Sequence, residues 1–136
     1  MTRAVFDTNV VIAAAISSDG APAESMRAHA DGRFDLVVSP LLLAELGTVL
    51  AREKLRLFLT IEQAARLVDA LGRDAQIAGD PAERQPVSRD PNDDYLIALA
   101  RSVSADVLVT GDADLLALDL ADLPIVSPRE FLERLP

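Results

Sequence analysis

The sequence contains no cysteine. Structural disulfides, zinc–thiolate centres and cysteine nucleophiles are therefore excluded together. Positive charge is also scarce: 13 Lys and Arg stand against 22 Asp and Glu, a net charge of −9 at pH 7. Proteins that bind nucleic acids usually present a basic surface that displaces counterions from phosphates. This balance argues against any broad face of that kind. His29 is the only histidine; it lies far from every motif below and receives no role. No run of about 18 residues lacks a charged side chain, so no membrane-spanning helix is expected. The start reaches Asp7 after only Ala4, Val5 and Phe6, which does not read as a signal peptide. A cytoplasmic location is the expectation.

What is present is apolar material in regular alternation. Half of the 136 residues are hydrophobic, which excludes intrinsic disorder and suits a single domain over 1–136. A chain of this size buries roughly two thirds of the surface it would expose unfolded. Val5-Phe6 is a short apolar run ending at Asp7, and an apolar helix follows it through Ile16. Ser17 to Gly20 break that helix, and Ala21-Pro22 open a second one to about Ala30. Phe34 to Val38 read as a buried strand, and Ser39-Pro40 as the cap and first turn of a helix to about Arg52. Thr60 and Gln63 are spaced as a capping box for a helix to about Arg73. Ala75 to Ala78 form a weak strand, and 79–91 a polar loop holding Pro81, Pro86 and Pro91. Asp90-Pro91 start a helix to about Ser102, and Asp106 to Thr110 form the next strand. A short helix near Leu115, a strand at Ile125-Val126 and a helix capped by Ser127 to about Leu135 complete the pattern. The alternation predicts a three-layer α/β/α sandwich on a mostly parallel sheet of four or five strands.

The acids gather at particular places on this scaffold. In an open parallel sheet, ligands bind beyond the carboxyl ends of the strands. Asp7 closes the first strand, Asp112 follows the strand 106–110 by two residues, and Glu45 lies early in the helix after the second strand. A fourth acid, Asp93 or Asp94, lies in the first turn of the helix facing the same edge. Each has an ordinary structural explanation. Asp7 caps a helix, Glu45 lies on a solvated helix face, Asp93 and Asp94 serve the helix dipole, and Asp112 and Asp114 are turn residues. Their convergence on one rim favours a common cause. Grouped carboxylates repel one another unless a cation neutralises them. An oxygen-only donor set without His or Cys points to one or two Mg²⁺ or Mn²⁺ ions. Paired ions in such sites lie roughly 4 Å apart.

The order of these motifs resembles a known family. Asp7-Thr8-Asn9 after the first strand is similar to the opening of the PIN-domain nucleases, and so is Ser39-Pro40 running into Leu43-Ala44-Glu45-Leu46. Arg89 to Asp94 lead into Leu96 to Ala100, Ala105 to Asp112 follow with Asp114-Leu115-Leu116 behind them, and Ile125 to Leu132 close the match. The resemblance covers nearly the whole chain and is nearest to the bacterial VapC-like toxins of toxin–antitoxin pairs. It implies a metal-dependent ribonuclease acting on RNA phosphodiester bonds, a sheet of order 3-2-1-4-5, a homodimer and a cognate antitoxin. Position by position, its four acids fall on Asp7, Glu45, Asp94 and Asp112. Asp94 is preferred to Asp93 because the family's acid precedes an apolar-Ala pair by three residues, as Asp94 precedes Ile97-Ala98. Asn9, Thr110 and Asp93 stand beside these as residues that orient the acids or bound water.

On this reading Asp7, Asp94 and Asp112 hold the cation against the scissile phosphate. Glu45 completes the site and helps deprotonate the attacking water. RNA is gripped by local cations, with Arg52, Lys54 and Arg56 after the Glu45 helix and Arg89 beside the acidic loop as the candidates. A run of that kind is more often only a solvated face. Tyr95 reads as a partly buried packing residue before it reads as a base-stacking platform. Two other classes fit the pattern less well. A non-catalytic α/β interaction module would tolerate changes at the acids. A receiver-like phosphoacceptor domain expects a lysine after its last strand, whereas the only lysine here is Lys54.

Overall fold

Five short parallel strands form one sheet in the computed structural model, which describes residues 1–136. The strands are β1 (Arg3–Phe6), β2 (Asp35–Val38), β3 (Gln76–Ile77), β4 (Val107–Val109) and β5 (Ile125–Val126). Their order across the sheet is β3-β2-β1-β4-β5, as the resemblance implies. Seven helices connect and follow them: α1 (Thr8–Ile16), α2 (Ala21–Ala30), α3 (Pro40–Leu50), α4 (Ile61–Asp74), α5 (Pro91–Ser102), α6 (Ala113–Leu116) and α7 (Pro128–Arg134). No helix is long and apolar enough to cross a membrane.

The predicted caps account for most helix starts. Ser39 Oγ accepts from the Leu42 amide at 3.2 Å, and Ser127 Oγ from Glu130 at 3.2 Å. Asp90 accepts from Asn92 at 2.9 Å, and Thr60 and Gln63 close the capping box at 3.0 and 2.9 Å. Each cap satisfies an amide that has no partner inside its helix. The segment after α3 departs from the expected pattern. Glu53–Leu57 coil into a 3₁₀ turn that carries Lys54 and Arg56, with Leu55 buried beneath it.

Chain order runs outward from β1 to β2 and β3, then returns past β1 to β4 and β5. Right-handed crossovers place helices from opposite directions of travel on opposite faces of the sheet. Accordingly α1 packs on α2 and α3, and α3 on α4, while α5 packs on β1 and β4; α7 returns beside α2. β1, β2 and β4 are apolar nearly throughout, the signature of a parallel sheet covered on both faces. Phe6, Phe34 and Phe131 lock the α2–α7 side, with ring centroids 4.8 to 5.5 Å apart. Direction reverses between β1 and β4. The carboxyl ends of these two strands therefore flank the crevice where open α/β sheets place their ligands.

Candidate active site

Asp7 and Thr110 leave β1 and β4 side by side. The Asp7 amide donates to the Val109 carbonyl at 2.8 Å, and the Thr110 amide to the Val126 carbonyl at 3.0 Å. The Thr110 hydroxyl donates to Asp7 Oδ2 at 2.9 Å while accepting from the Asp112 amide at 3.0 Å. A hydroxyl has one proton to give, so these two bonds fix its orientation and couple the two acids. Asn9 performs a similar role. Its Nδ2 donates to Asp7 Oδ2 at 3.0 Å, and its Oδ1 accepts from the Gly111 amide at 3.4 Å. Asp112 in turn caps α6 through the Asp114 amide at 2.9 Å. Asn9 and Thr110 thus hold Asp7 and Asp112 across the switch point.

Electrostatics links the remaining acids to this pair. Burial raises the Asp7 pKa above the usual carboxylate value; Thr110 and Asn9 oppose the shift, and the Asp112 charge adds to it. Glu45, in the second turn of α3, is raised by burial and then by the charges of Asp7 and Asp90. Asp93 is the most perturbed of these acids. Burial and the charges of Asp112, Asp90, Asp7 and Asp114 push it up to about 6, and no donor offsets them. Three regions of the chain thereby present carboxylates that repel one another and are held partly out of water.

Asp94 behaves differently. Its Oδ1 accepts from the Val87 amide at 3.0 Å, the Ser88 amide at 2.8 Å and the Ser88 hydroxyl at 3.0 Å. Burial would raise its pKa, but these donors and the Arg84 charge hold it below the ordinary value. Successive residues of a helix project about 100° apart, so only one of the pair can face Asp7 and Asp112. The charges of Asp7 and Asp112 act on Asp93, whereas Asp94, the residue preferred from the spacing to Ile97-Ala98, pins the loop. Asp90 and Asp114 are further acids acting on Asp93 that the sequence reading did not assign to the site. Their signal was present, since each lies within four residues of a chosen acid.

A second network holds α3 against the loop. Ser39 Oγ donates to the Tyr95 hydroxyl, which donates to Asp80 Oδ1. Asp80 also accepts from the Leu41 amide at 3.2 Å, and the Arg84 guanidinium lies 5.0 Å from the Tyr95 ring centroid. Tyr95 is therefore the buried packing residue expected, and it ties the start of the Glu45 helix to α5.

The candidate cations divide. Arg52 and Lys54 are exposed at the far end of α3, and neither they nor Arg56 are among the charges that shift the carboxylates. Arg56 donates to the Leu50 carbonyl and lines an apolar hollow between α3 and α4, with its Nε and Nη1 buried and unpartnered. Arg89 lines a hollow that also contains Asp93. As they stand, no three of the chain's Asp, Glu and His side chains converge closely enough to hold a metal ion.

Comparison with known proteins bears on the family and the fold. The chain is 28% identical over 140 residues to the uncharacterized protein MJ1680 of Methanocaldococcus jannaschii, covering 96% of this chain and 90% of that protein. Its fold is similar to a chain in the crystal structure of VapBC2 from Rickettsia felis bound to a DNA fragment from their promoter. That likeness has a TM-score of 0.67 at 16% identity and covers 93% of this chain and 98% of the other. A family model of the PIN domain matches residues 3–114, a span that includes Asp7, Glu45, Asp93 and Asp112, and the chain belongs to the PIN-domain family.

Proposed function

We propose that this chain is a metal-dependent endoribonuclease and the toxin of a toxin–antitoxin pair. The observation that carries the catalytic reading is the grouping of Asp7, Glu45 and Asp93 around one rim, where the Asp7 charge acts on both of the others and the Asp112 charge on Asp7 and Asp93. The three come from separate regions of the chain, and each is raised by burial first and then by at least one neighbouring acid. A stable protein relieves such repulsion by protonation or by a cation. The donors are all oxygen, which suits Mg²⁺ or Mn²⁺ and excludes a soft thiolate metal. Asp7, Asp93 and Asp112 are the proposed ligands, with Glu45 completing the set from α3. When bound, the ion supplies charge neutralisation at the scissile phosphate and acidifies the attacking water.

The chain's own residues have distinct tasks. Thr110 and Asn9 hold the Asp7 carboxylate in one orientation, so little reorganisation is needed when a cation or phosphate arrives. Glu45 is a carboxylate whose pKa is raised by burial, which makes it a stronger base toward water than an ordinary carboxylate. Asp94, with its pKa held low and three donors on one oxygen, maintains the loop.

The toxin reading rests on the similarity in fold to the VapBC2 chain. An antitoxin and a second copy of the chain both require apolar surface, and Leu57, Phe58 and Ile61 expose it beside the α3–α4 connection. The direct test is cleavage of labelled RNA with Mn²⁺ by the wild type and by Asp7→Asn. The variant is expected to lose at least about 100-fold in rate, the scale of a removed acid–base or ligand group. Equal rates in the two would remove the catalytic assignment.

A further inference from the structure

A hollow of about 520 Å³ opens beside the acids, between the loop 87–90, the first turn of α5 and the end of α6. Val87, Ala117 and Leu118 give it apolar walls, Arg89 supplies its only cation, and Asp93 and Asp114 form the side shared with the acid group. Its size lies within the roughly 300–1,000 Å³ typical of small-molecule sites.

The loop wall is preorganised. Asp94 fixes Val87 and Ser88 through three hydrogen bonds, and the Ser88 hydroxyl donates to the Asp90 carbonyl at 2.8 Å. Asp90 then caps α5 at Asn92. These bonds tie the loop to the same helix turn that carries Asp93, so wall and acid keep one geometry. They also occupy the amides of Val87 and Ser88 and the Ser88 hydroxyl, so these donors are not available to a ligand. Arg89 takes part in none of the chain's four ion pairs.

We infer that this hollow is a nucleotide subsite that takes the base of a nucleotide flanking the cleaved bond, and that it favours bases bearing an exocyclic amino group. The inference rests on the nuclease reading for the identity of the strand. The physical argument is one of matching. A flat neutral base can lie between Val87 and Leu118, and stacking of that kind is tolerant of sequence. Asp114 repels a phosphate, so the anionic part of the nucleotide lies toward Arg89 and toward the cation that Asp93 would help to hold. The Asp114 carboxylate, outside the proposed ligand set, can accept from an amino group, the way Asp and Glu read the amino group of cytosine. Uracil has no such group. Asp94 acquires a role here as well: it builds the wall of the subsite from outside the acid cluster.

The test uses the full chain with Mg²⁺ and the four ribonucleoside 5′-monophosphates as probes, followed by equilibrium dialysis and by amide shifts in NMR spectra. Cytidine monophosphate is expected to bind more tightly than uridine monophosphate, with shifts at Val87, Arg89 and Leu118. Ala117→Trp fills the hollow from an exposed position and should weaken cytidine monophosphate at least about tenfold, the equivalent of one lost stacking contact. Binding of Mn²⁺ alone, followed by its paramagnetic signal, should be the same in Ala117→Trp as in the wild type. Absence of monophosphate binding at millimolar concentration, or equal binding by Ala117→Trp, would overturn the subsite. So would uridine monophosphate binding as tightly as cytidine monophosphate, for the amino-group preference. The nuclease reading fails separately, through loss of RNA cleavage by the wild type. Cleavage that persists with unaltered monophosphate binding in Ala117→Trp removes the subsite and leaves the nuclease.

Discussion

The two ends of the same sheet treat their acids in opposite ways. At the amino end, Asp106 Oδ2 accepts from the Arg3 amide at 2.8 Å, and the Arg3 guanidinium donates to the Val103 carbonyl at 2.7 Å. The Asp106 and Asp35 amides donate to Arg3 and Thr2 carbonyls, both at 2.8 Å, which extends the ladder. Carboxylate, amide and guanidinium all have partners there. At the carboxyl end, Asp7, Glu45 and Asp93 sit among other acids, and their pKa values rise. An acid at a strand end is thus not by itself a sign of function. The distinguishing feature is whether the protein supplies its counter-charge or leaves that to something else.

The sharpest break of this contrast lies between two neighbours. Asp93→Asn should reduce Mn²⁺-dependent RNA cleavage by at least about 100-fold, because it removes a ligand and a charge from the acid group. Asp94→Asn should keep cleavage within about tenfold of the wild type, since a carboxamide oxygen can still accept from Val87 and Ser88. Its effect should instead be a loss of stability of about 1–2 kcal/mol, as charge-assisted bonds become neutral ones. Parallel measurements of cleavage rate and thermal midpoint decide the matter. The opposite ranking would restore Asp94 to the metal set and return Asp93 to the helix dipole.

A smaller effect follows from pH. Asp93 is raised from 3.8 to about 6, so the folded chain holds this proton more tightly than the unfolded one. Its contribution to stability is fully present below the unfolded value and is lost as pH rises through about 6. Asp7 and Glu45 are shifted in the same direction and add to the trend. Without divalent metal, the chain should therefore lose about 1–2 kcal/mol between pH 4 and pH 7 from this group, after allowance for solvent screening. Mg²⁺ or Mn²⁺ at millimolar concentration should restore most of the loss at pH 7 and little of it at pH 4, because protons and cations compete for the same carboxylates. Thermal midpoints across that range, with and without metal, measure it. A midpoint at pH 7 that ignores the metal would remove the cation site.

Most of the architecture could be read from the sequence. Short apolar strands, Ser or Asp caps and first-turn prolines are local signals, and Ser39-Pro40, Thr60 with Gln63, and Asp90-Pro91 each start a helix as read. The strand order came from the resemblance, since periodicity does not say which strands are neighbours. At the site, Asp7 and Asp112 come together at the switch point, and of the two neighbours Asp93 feels their charges while Asp94 is held by the loop. Spacing to Ile97-Ala98 says which residues share a helix, whereas the loop 87–90 decides which carboxylate it captures. That capture is a tertiary contact across six or seven residues of irregular chain, with no period to reveal it. Arg52, Lys54 and Arg56 are close in sequence, but the 3₁₀ turn carries them to the far end of α3, while Arg89 stays beside Asp93.

The smallest expected effect tests the other half of the contrast. Asp106→Ala removes the acceptor of the Arg3 amide at the amino end of β1 and leaves the acid group untouched. That bond is exposed, so water can take over the amide, and the loss should be about 0.5–1 kcal/mol. Cleavage rate, Mn²⁺ affinity and the slope of stability between pH 4 and pH 7 should all match the wild type, because Asp106 is not among the charges that act on Asp7, Glu45 or Asp93. A fall in Mn²⁺ affinity in this variant would mean that the two ends of the sheet are coupled through β1, whose four residues join Arg3 to the residue before Asp7. The separation between partnered and unpartnered acids would then describe one strained unit in place of two independent ends.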